Sequence, residues 1–187
     1  MTGKLIILNG TSSSGKSSIA RKLQKEINEN YLVLGVDIFM KLMPEKFANV
    51  KNKNAIDQEI GFSFSYDNLG NLENIILTEI GYRYIASCYK AVLVFLDSGF
   101  NVIYDDMIFN DQIYRILLSN FSKVKYSICL ISCNEELRKD RELSRRDRIK
   151  GTYLIGSQFI NSSIFHDHII NNESDLNTAT NQIKKLL

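Results

Sequence analysis

The sequence predicts a three-layer α/β fold in which helices cover both faces of a five-stranded parallel sheet. Short, continuous apolar runs alternate along the chain with helical patterns, and such runs are typical of parallel strands that are buried on both faces. The 187 residues, 44% of them hydrophobic and 24% charged, suit one domain with a substantial core. We therefore expect a single α/β domain over residues 1–187.

The predicted elements follow one another in a regular order. Apolar positions 19, 23 and 27 predict a helix after the first strand, and four-residue steps from Leu72 to Val92 predict a long central helix. Strands are expected at residues 5–8, 31–36, 102–104, 127–132 and 168–170, and further helices at 112–120, 135–150 and 176–187. Ligands bind beyond the carboxyl ends of the strands in such sheets, so those ends are where a site is expected.

One segment departs from this order. Residues 62–66 alternate between aromatic and serine side chains, and residues 68–71 contain turn formers around Gly70. This pattern predicts a small hairpin inserted before the long helix, within an insertion of about residues 38–80.

The composition excludes several classes of partner. A net charge of +2, from 23 basic and 21 acidic side chains, is no footprint for nucleic acid or an anionic membrane. No apolar run is long enough for a membrane helix or a secretory signal, and three cysteines without metal-site spacing suggest free thiols. We expect a cytoplasmic protein, and the composition leaves its oligomeric state open.

The turn after the first strand carries the strongest motif. Residues 10–17 match G-x-x-x-x-G-K-[ST] in full, between an apolar strand and an amphipathic helix. In this motif backbone N–H groups surround the phosphates of a nucleotide, the lysine reaches the β and γ oxygens, and the hydroxyl that follows ligates Mg²⁺. The sequence therefore predicts binding of ATP and Mg²⁺ by Gly10, Thr11, Ser12, Ser13, Ser14, Gly15, Lys16, Ser17 and Ser18.

The motif alone does not separate kinases from GTPases or ATPases. GTP specificity would need an Asn-Lys-x-Asp segment, and the nearest candidate, residues 52–54, lacks the aspartate and lies before the wrong elements. A short chain with a late arginine-rich segment favours a small-molecule kinase of the P-loop fold.

An aspartate follows the second predicted strand. Asp37 is expected to leave the sheet near the phosphate loop, where a carboxylate could accept the proton of an attacking hydroxyl. The alternative is that Asp37 caps a short helical turn over residues 38–43. The spacing alone leaves both roles open.

Two aspartates, Asp105 and Asp106, end the third predicted strand. One of them could hold Mg²⁺ through water or position a substrate, and the alternative is a cap or a solvated strand end. Alternation along a strand puts neighbouring side chains on opposite faces, so at most one is expected to face the site directly. The pattern does not decide which of them serves a metal site.

A row of arginines follows the fourth predicted strand. The segment at about 134–150 holds Arg138, Arg141, Arg145 and Arg148, whose spacings of three, four and three place them on one face of a helix. Few apolar side chains accompany them, so we expect this segment to lie outside the core as a cationic lid over the phosphates. The alternative is a solvated helix with many ion pairs.

Aromatic and methionine side chains are concentrated between Asp37 and the long helix. They could line a pocket for a semi-apolar acceptor or pack a small satellite core, and the two roles are compatible. The members of this cluster are Phe39, Met40, Met43, Phe47, Phe62, Phe64 and Tyr66.

Taken together, these motifs resemble the chloramphenicol phosphotransferase family over nearly the whole chain. The resemblance lies in residues 6–10 before the loop, residues 35–37 followed by 43–44, the acidic strand 102–106, and the lid pattern Arg141, Glu142, Arg145, Asp147 and Arg148. It implies ATP-dependent O-phosphorylation, with Asp37 as the base and with an acceptor bound by the insertion at about residues 38–80. It also implies that Arg141, Arg145 and Arg148 hold phosphate, and that Lys16, Arg141 and Arg145 act in catalysis together with Asp37.

The chain departs from the family at two positions. Asn161 stands where the family commonly has a histidine, and Asn171 and Asn172 stand where it tends to have an acidic residue. Chloramphenicol or a similar antibiotic is the leading acceptor that the resemblance implies. The alternatives are a kinase of a nucleotide sugar, as in zeta-toxin-like proteins, a kinase of a metabolite, and a nucleotide-binding regulatory module without an acceptor.

Overall fold

The computed structural model describes residues 3–44, 47–49, 61–145 and 149–187. Its main sheet holds five parallel strands in the order β2-β6-β1-β7-β8, namely β1 (Leu5–Asn9), β2 (Tyr31–Gly35), β6 (Asn101–Asp105), β7 (Tyr126–Ser132) and β8 (His168–Asn171). The helices are, in chain order, α1 (Lys16–Glu26), α2 (Val36–Met40), α3 (Glu79–Asp97), α4 (Asp111–Asn120), α5 (Glu135–Leu143), a 3₁₀ helix (Thr152–Leu154), α6 (Ser157–Ser162) and α7 (Leu176–Lys184). The predicted fold class is confirmed.

Alternation along the central strand divides the core into two layers. Leu5 and Ile7 of β1 face α3 and α4, while Ile6 and Leu8 face α1 and α7. Each of these four side chains is at most 5% exposed. Both faces of the sheet are therefore covered, which explains why its strands are continuous apolar runs.

A second, smaller sheet forms before α3. Its strands β3 (Ala48–Asn49), β4 (Phe62–Tyr66) and β5 (Leu72–Leu77) lie in that order, and β4 pairs with β5 antiparallel. The predicted hairpin is present, but the predicted start of the long helix at Leu72 is wrong. Residues 72–77 are the second hairpin strand, whose β-branched Ile75 and Ile76 pair with β4.

The long helix begins where a threonine caps it. Thr78 is the N-cap of α3, and its hydroxyl accepts a hydrogen bond from the Gly81 N–H at 3.4 Å. Two other predicted bounds also change. Strand β2 ends at Gly35 because α2 begins at Val36, and α5 ends at Leu143 rather than continuing to residue 150. No described helix combines the length and the apolar character needed to cross a membrane.

The start of α3 packs tightly against the hairpin. A methyl group at Gly81 would lie 2.1 Å from the Gly61 carbonyl oxygen, and that same oxygen accepts a hydrogen bond from the Thr78 N–H at 3.2 Å. Because Gly61 directly precedes β4, this contact fixes the hairpin on the helix.

Gly81→Ala should therefore destabilise the protein, although alanine is the better helix former. We expect the free energy of unfolding to fall by about 2 kcal/mol, because backbone atoms must move apart to admit the methyl group. Denaturant unfolding checks this, with Ser87→Ala on the exposed side of α3 as the matched control. A Gly81→Ala protein more stable than wild type would show that the contact yields without cost.

Candidate active site

The loop between β1 and α1 has the backbone conformation of a phosphate-binding turn. Gly10, Ser13 and Gly15 have φ values of 154°, 62° and 100°, a region that side chains beyond glycine rarely adopt. The Ser14 N–H approaches the Thr11 carbonyl oxygen at 3.4 Å, which closes the turn. Neighbouring elements leave no room for larger residues, since a methyl group at Gly15 would lie 2.2 Å from Asn172 Nδ2.

Donor groups are concentrated on this loop. The hydroxyls of Ser12, Ser13 and Ser14 are buried without a hydrogen-bond partner in the described part of the chain. Helix α1 starts at the loop, and its N-cap residue Gly15 supplies no side-chain cap for the first N–H groups. Buried hydroxyls and helix N–H groups of this kind fit the phosphate oxygens of a nucleotide.

The Lys16 side chain lies over the loop and is 8% exposed. Its Nζ donates to the carbonyl oxygens of Gly10, at 2.8 Å, and Thr11, at 2.9 Å. The same ammonium lies 4.0 Å from Asp105 Oδ1. The loop thus holds a buried cation where the phosphates are expected.

Ser17 and Asp105 are brought together across α1 and β6. The Ser17 hydroxyl donates to Asp105 Oδ2 at 2.5 Å. Within the described ranges no cluster of three or more histidine, cysteine, aspartate or glutamate side chains could hold a metal ion. Mg²⁺ beside a nucleotide needs only one or two protein oxygen ligands together with phosphate and water, so this pair fits the predicted ion.

The Asp106 carboxylate is buried and makes its hydrogen bonds on the side of the sheet that α3 covers, not with Ser17. Its Oδ2 accepts from the Tyr89 hydroxyl at 2.7 Å and its Oδ1 from the Met107 N–H at 2.8 Å. Burial raises the pKa of the Asp106 carboxyl to about 6, although both hydrogen bonds act in the opposite direction. Of the two predicted carboxylates, only Asp105 is hydrogen-bonded to Ser17.

Asp37 lies in the first turn of α2. The N-cap of this helix is Gly35, so the structure does not place Asp37 in the capping position that the sequence left open. The Asp37 side chain is exposed and lines the same cavity as the phosphate loop. A methyl group at Gly35 would lie 2.7 Å from the Asp105 carbonyl oxygen, so glycine permits β2 to end close to β6.

The arginines do not share one role. Arg138 is only 6% exposed and packs inside, so the expectation that this segment lies outside the core is wrong at that position. Arg141 donates to the carbonyl oxygens of Ser14, at 3.3 Å, and Asn172, at 2.9 Å, while Arg145 lies beyond the end of α5 and is exposed. Both line the cavity. Arg148 lies outside the described residues.

Two further residues of the site were not predicted. Asn172 is buried, and its Nδ2 donates to the Ser14 carbonyl oxygen at 2.7 Å. Glu142 is 4% exposed, and its carboxylate accepts from the backbone N–H groups of Gly151 and Tyr153. Asn172 could be noticed in the sequence, because it is a polar residue at the end of the last strand. Glu142 could not, because a glutamate among arginines is typical of a solvated helix face.

A cavity of about 620 Å³ connects these groups. The polar or loop residues that line it are Ser12, Ser13, Gly15, Lys16, Ser17, Ser18, Asp37, Asp105, Asp106, Arg141, Ser144, Arg145, Thr152 and Asn172. The apolar side chains that line it are Val36, Met40, Phe62, Phe64, Ile75, Ile85, Met107, Phe109, Ile113, Ile149 and Leu176. Within the predicted aromatic cluster, Phe62 and Phe64 line this cavity and also pack with the core.

A loop of this conformation at the carboxyl edge of this sheet, beside a serine–aspartate pair and two arginines, defines a protein of the P-loop kinase fold. The chain belongs to the chloramphenicol phosphotransferase-like protein family, whose model matches residues 3–184. The family prediction is confirmed.

Two relatives from Mycobacterium tuberculosis are similar to most of the chain. They are named "Putative O-phosphotransferase MT2714" (strain CDC 1551 / Oshkosh) and "Putative O-phosphotransferase Rv2636" (strain ATCC 25618 / H37Rv). Each is 29% identical over 157 residues, which cover 80% of this chain. The chain spans about two thirds of the length of these relatives, 66% in each case.

Two solved structures of similar fold are named as kinases. A sugar kinase from Janibacter sp. HTCC2649 has a TM-score of 0.68 at 14% identity, covering 98% of this chain and 93% of its own. The APS kinase CysC of Mycobacterium tuberculosis, in complex with AMPPNP and APS, has a TM-score of 0.66 at 12% identity. The match covers 99% of this chain and 97% of the kinase chain. At these identities the similarity concerns the fold.

The buried carboxyl gives a prediction for stability. Since the folded pKa of Asp106 lies near 6, above its ordinary value of 3.8, ionisation at high pH opposes folding. The wild-type protein should gain stability from this group as the pH falls from 7 towards 4, where the fold binds the proton first.

Asp106→Asn should therefore raise the free energy of unfolding above pH 7 by about 2 kcal/mol, and the gain should shrink as the pH falls through 6. Chemical denaturation across this pH range measures it, with Asp111→Asn on exposed α4 as the control. A gain that stays constant with pH would show that Asp106 is not the titrating group.

Proposed function

We propose that this protein is an ATP-dependent O-phosphotransferase acting on a hydroxyl of a small, partly apolar molecule. One observation carries the proposal: a single cavity is lined by the phosphate loop, by Asp37 and by apolar side chains of α2, the hairpin and the residues after β6. We call the part of the cavity beside these apolar side chains the apolar chamber. A nucleotide at the polar end would direct its terminal phosphate towards the chamber, where an acceptor of drug size would fit.

The phosphate end would be held by the loop between β1 and α1. The hydroxyls of Ser12, Ser13 and Ser14 and the N–H groups at the start of α1 would donate to the phosphates, and Lys16 would exchange its carbonyl partners for β and γ oxygens. Ser17 and Asp105 would hold Mg²⁺. Bound there, the ion would supply positive charge that offsets the negative charge of the phosphates.

Asp37 is the base of the proposed reaction. Its exposed carboxylate lies at the start of α2, on the wall that the cavity shares with the loop. As the acceptor oxygen forms its bond to the γ phosphorus, the bond from that phosphorus to the ADP oxygen breaks. Asp37 takes the proton that the acceptor hydroxyl loses.

Arg141 and Arg145 would stabilise the charge that moves during transfer. Arg141 is held in place by carbonyl oxygens of the loop and of Asn172, so its guanidinium is positioned before substrate binds. Preorganised donors of this kind lower the barrier without a cost of reorganisation during the reaction. Arg145, in the exposed segment beyond α5, would complete the site as the lid closes.

The apolar end of the cavity supports an aryl-bearing acceptor over a sugar acid. Phe62, Phe64 and Phe109 offer ring faces there, and Met40 and Met107 offer adaptable thioethers. Chloramphenicol, which the family description names, combines an aromatic ring with hydroxyl groups and is the first acceptor to test. Phosphorylation of such an antibiotic would make the protein a resistance factor.

Mass spectrometry tests the acceptor. Purified protein with ATP and Mg²⁺ is incubated with chloramphenicol and, separately, with a metabolite extract, and products heavier by one phosphoryl group are sought. A phosphorylated product from either supports the proposed reaction, and its identity names the acceptor. Nucleotide binding with no product from any acceptor would instead support a regulatory nucleotide-binding module.

Substitution of the loop lysine or the proposed base should stop the reaction. We expect Lys16→Ala and Asp37→Asn each to lower kcat by at least about 1,000-fold, because each removes a group that acts on the transferring phosphoryl or the attacking hydroxyl. Lys90→Ala and Asp97→Asn, both exposed on α3, are the matched controls. Full activity of Asp37→Asn would remove Asp37 from the role of base.

Phe64→Ala tests the apolar chamber. Loss of one ring face should raise the KM for an aryl acceptor by about tenfold and leave the KM for ATP unchanged. Leu69 lies in the turn of the same hairpin and is 87% exposed, so Leu69→Ala should change neither constant. An equal rise in both KM values would show a general loss of structure rather than a loss of acceptor contact.

A further inference from the structure

Helix α5 carries two buried charged side chains. Arg138 is 6% and Glu142 4% exposed, and their spacing of four residues places them on one face of the helix. That face lies between the phosphate loop and residues 151–153, the segment through which the chain returns from the lid. Both side chains make their hydrogen bonds to these two segments.

Arg138 connects the two segments directly. Its Nη1 donates to the Thr11 hydroxyl at 2.5 Å and to the Tyr153 carbonyl oxygen at 3.0 Å. Thr11 belongs to the phosphate loop, and its own carbonyl oxygen accepts from Lys16 Nζ at 2.9 Å. Arg138 Nη1 therefore connects the return segment, residues 151–153, to Thr11, and Thr11 in turn orients Lys16.

Glu142 fixes the return segment from the same helix. Its Oε1 accepts from the Gly151 N–H at 2.7 Å and its Oε2 from the Tyr153 N–H at 2.9 Å. On the other side, the Leu72 N–H of the hairpin donates to the Lys150 carbonyl oxygen at 2.6 Å. The end of the lid is thus held between α5 and the acceptor-side hairpin.

Stability alone does not account for a cation in this place. The two atoms that Arg138 reaches are a neutral hydroxyl and a carbonyl oxygen, and its Nε is buried without a partner in the described part of the chain. Burying a charge costs free energy that such partners only partly offset, and an apolar side chain of similar length would fill the space at lower cost. The arrangement instead suits a residue that holds two segments in a fixed position relative to each other.

We propose that Arg138 is a positioning residue, which sets Thr11 and through it Lys16 relative to the return segment of the lid. Glu142 supplies the fixed end of this connection. That it serves phosphoryl transfer rests on the proposed function, whereas the connection itself is a property of the free protein.

Hydrogen exchange on the free protein tests the connection. In Arg138→Met we expect backbone exchange to be about tenfold faster both in the loop at residues 11–15 and in residues 151–154, because each segment loses its shared donor. Lys139→Met, which replaces the neighbouring exposed cation by the same side chain, should leave both segments at the wild-type rate. Unchanged exchange in the loop of Arg138→Met would overturn the proposal.

Variants of Thr11 identify the route. Thr11→Val keeps the shape of the side chain but removes the hydroxyl, so it should reproduce the faster exchange of the loop, and Thr11→Ser should restore the wild-type rate. The double variant Arg138→Met with Thr11→Val should exchange no faster in the loop than either single variant, as expected for two groups in one interaction. Additive effects would show that Arg138 does not act through Thr11.

The kinetic consequence separates positioning from stability. Arg138→Met should lower kcat by about tenfold or more while the KM for ATP changes by less than about threefold, because a misplaced lysine weakens the transition state more than the ground state. Its melting temperature should equal or exceed that of wild type. Normal kcat with a lower melting temperature would make Arg138 purely structural and would refute the proposal.

The two proposals fail in different ways. If the wild-type protein phosphorylates no acceptor, the proposed function is wrong, and the exchange rates of Arg138→Met still decide whether the lid and the loop are connected. If wild type is active and Arg138→Met is indistinguishable from it in exchange and in kcat, the connection is wrong and the proposed function stands.

Discussion

The site depends on the register of β6 between its two neighbours. Asp105 pairs with Leu8 of β1 on one side and with Gly35 of β2 on the other. The chain leaves β1 for the phosphate loop two residues later, and it leaves β2 for Asp37 two residues later. Parallel strands bring their carboxyl ends to one edge, so this register places Lys16, Asp105 and Asp37 around one cavity.

The phosphate end was predictable because its signals are local. A contiguous motif specifies the loop, and an aspartate directly after an apolar run indicates a strand end, so residues 10–18, Asp37 and the pair Asp105 and Asp106 could be named from the sequence. Their geometry agrees with that assignment, while their chemical roles stay predictions. The sequence did not decide between Asp105 and Asp106. The start of the long helix was not predictable from periodicity, because residues 72–77 fit both a four-residue step and a strand. The hairpin partner, a tertiary contact, decides between the two.

The charged face of α5 shows the opposite limit. In a sequence, arginines and glutamates at helical spacing are typical of a solvated surface, and Arg138 and Glu142 carry no local sign of burial. Their partners lie on other elements. Thr11 stands 127 positions before Arg138 in the chain, and residues 151–153 follow the arginine-rich segment. Only the fold brings a hydroxyl, a carbonyl and two N–H groups to this helix face. Buried charge of this kind costs stability, which is the usual sign of a functional constraint.

The two ends of the cavity are built by different kinds of structure. The phosphate end belongs to the central sheet, where loop, register and buried contacts fix every group within close limits. The apolar end is formed largely by α2, the hairpin and the residues after β6, which are attached to that sheet through local contacts such as the one between Gly61 and Gly81. Side chains at this end can change in size and polarity without disturbing the phosphate loop. The fold therefore accounts for how the phosphate loop is positioned, while the choice of acceptor has to be established from the side chains of the chamber itself.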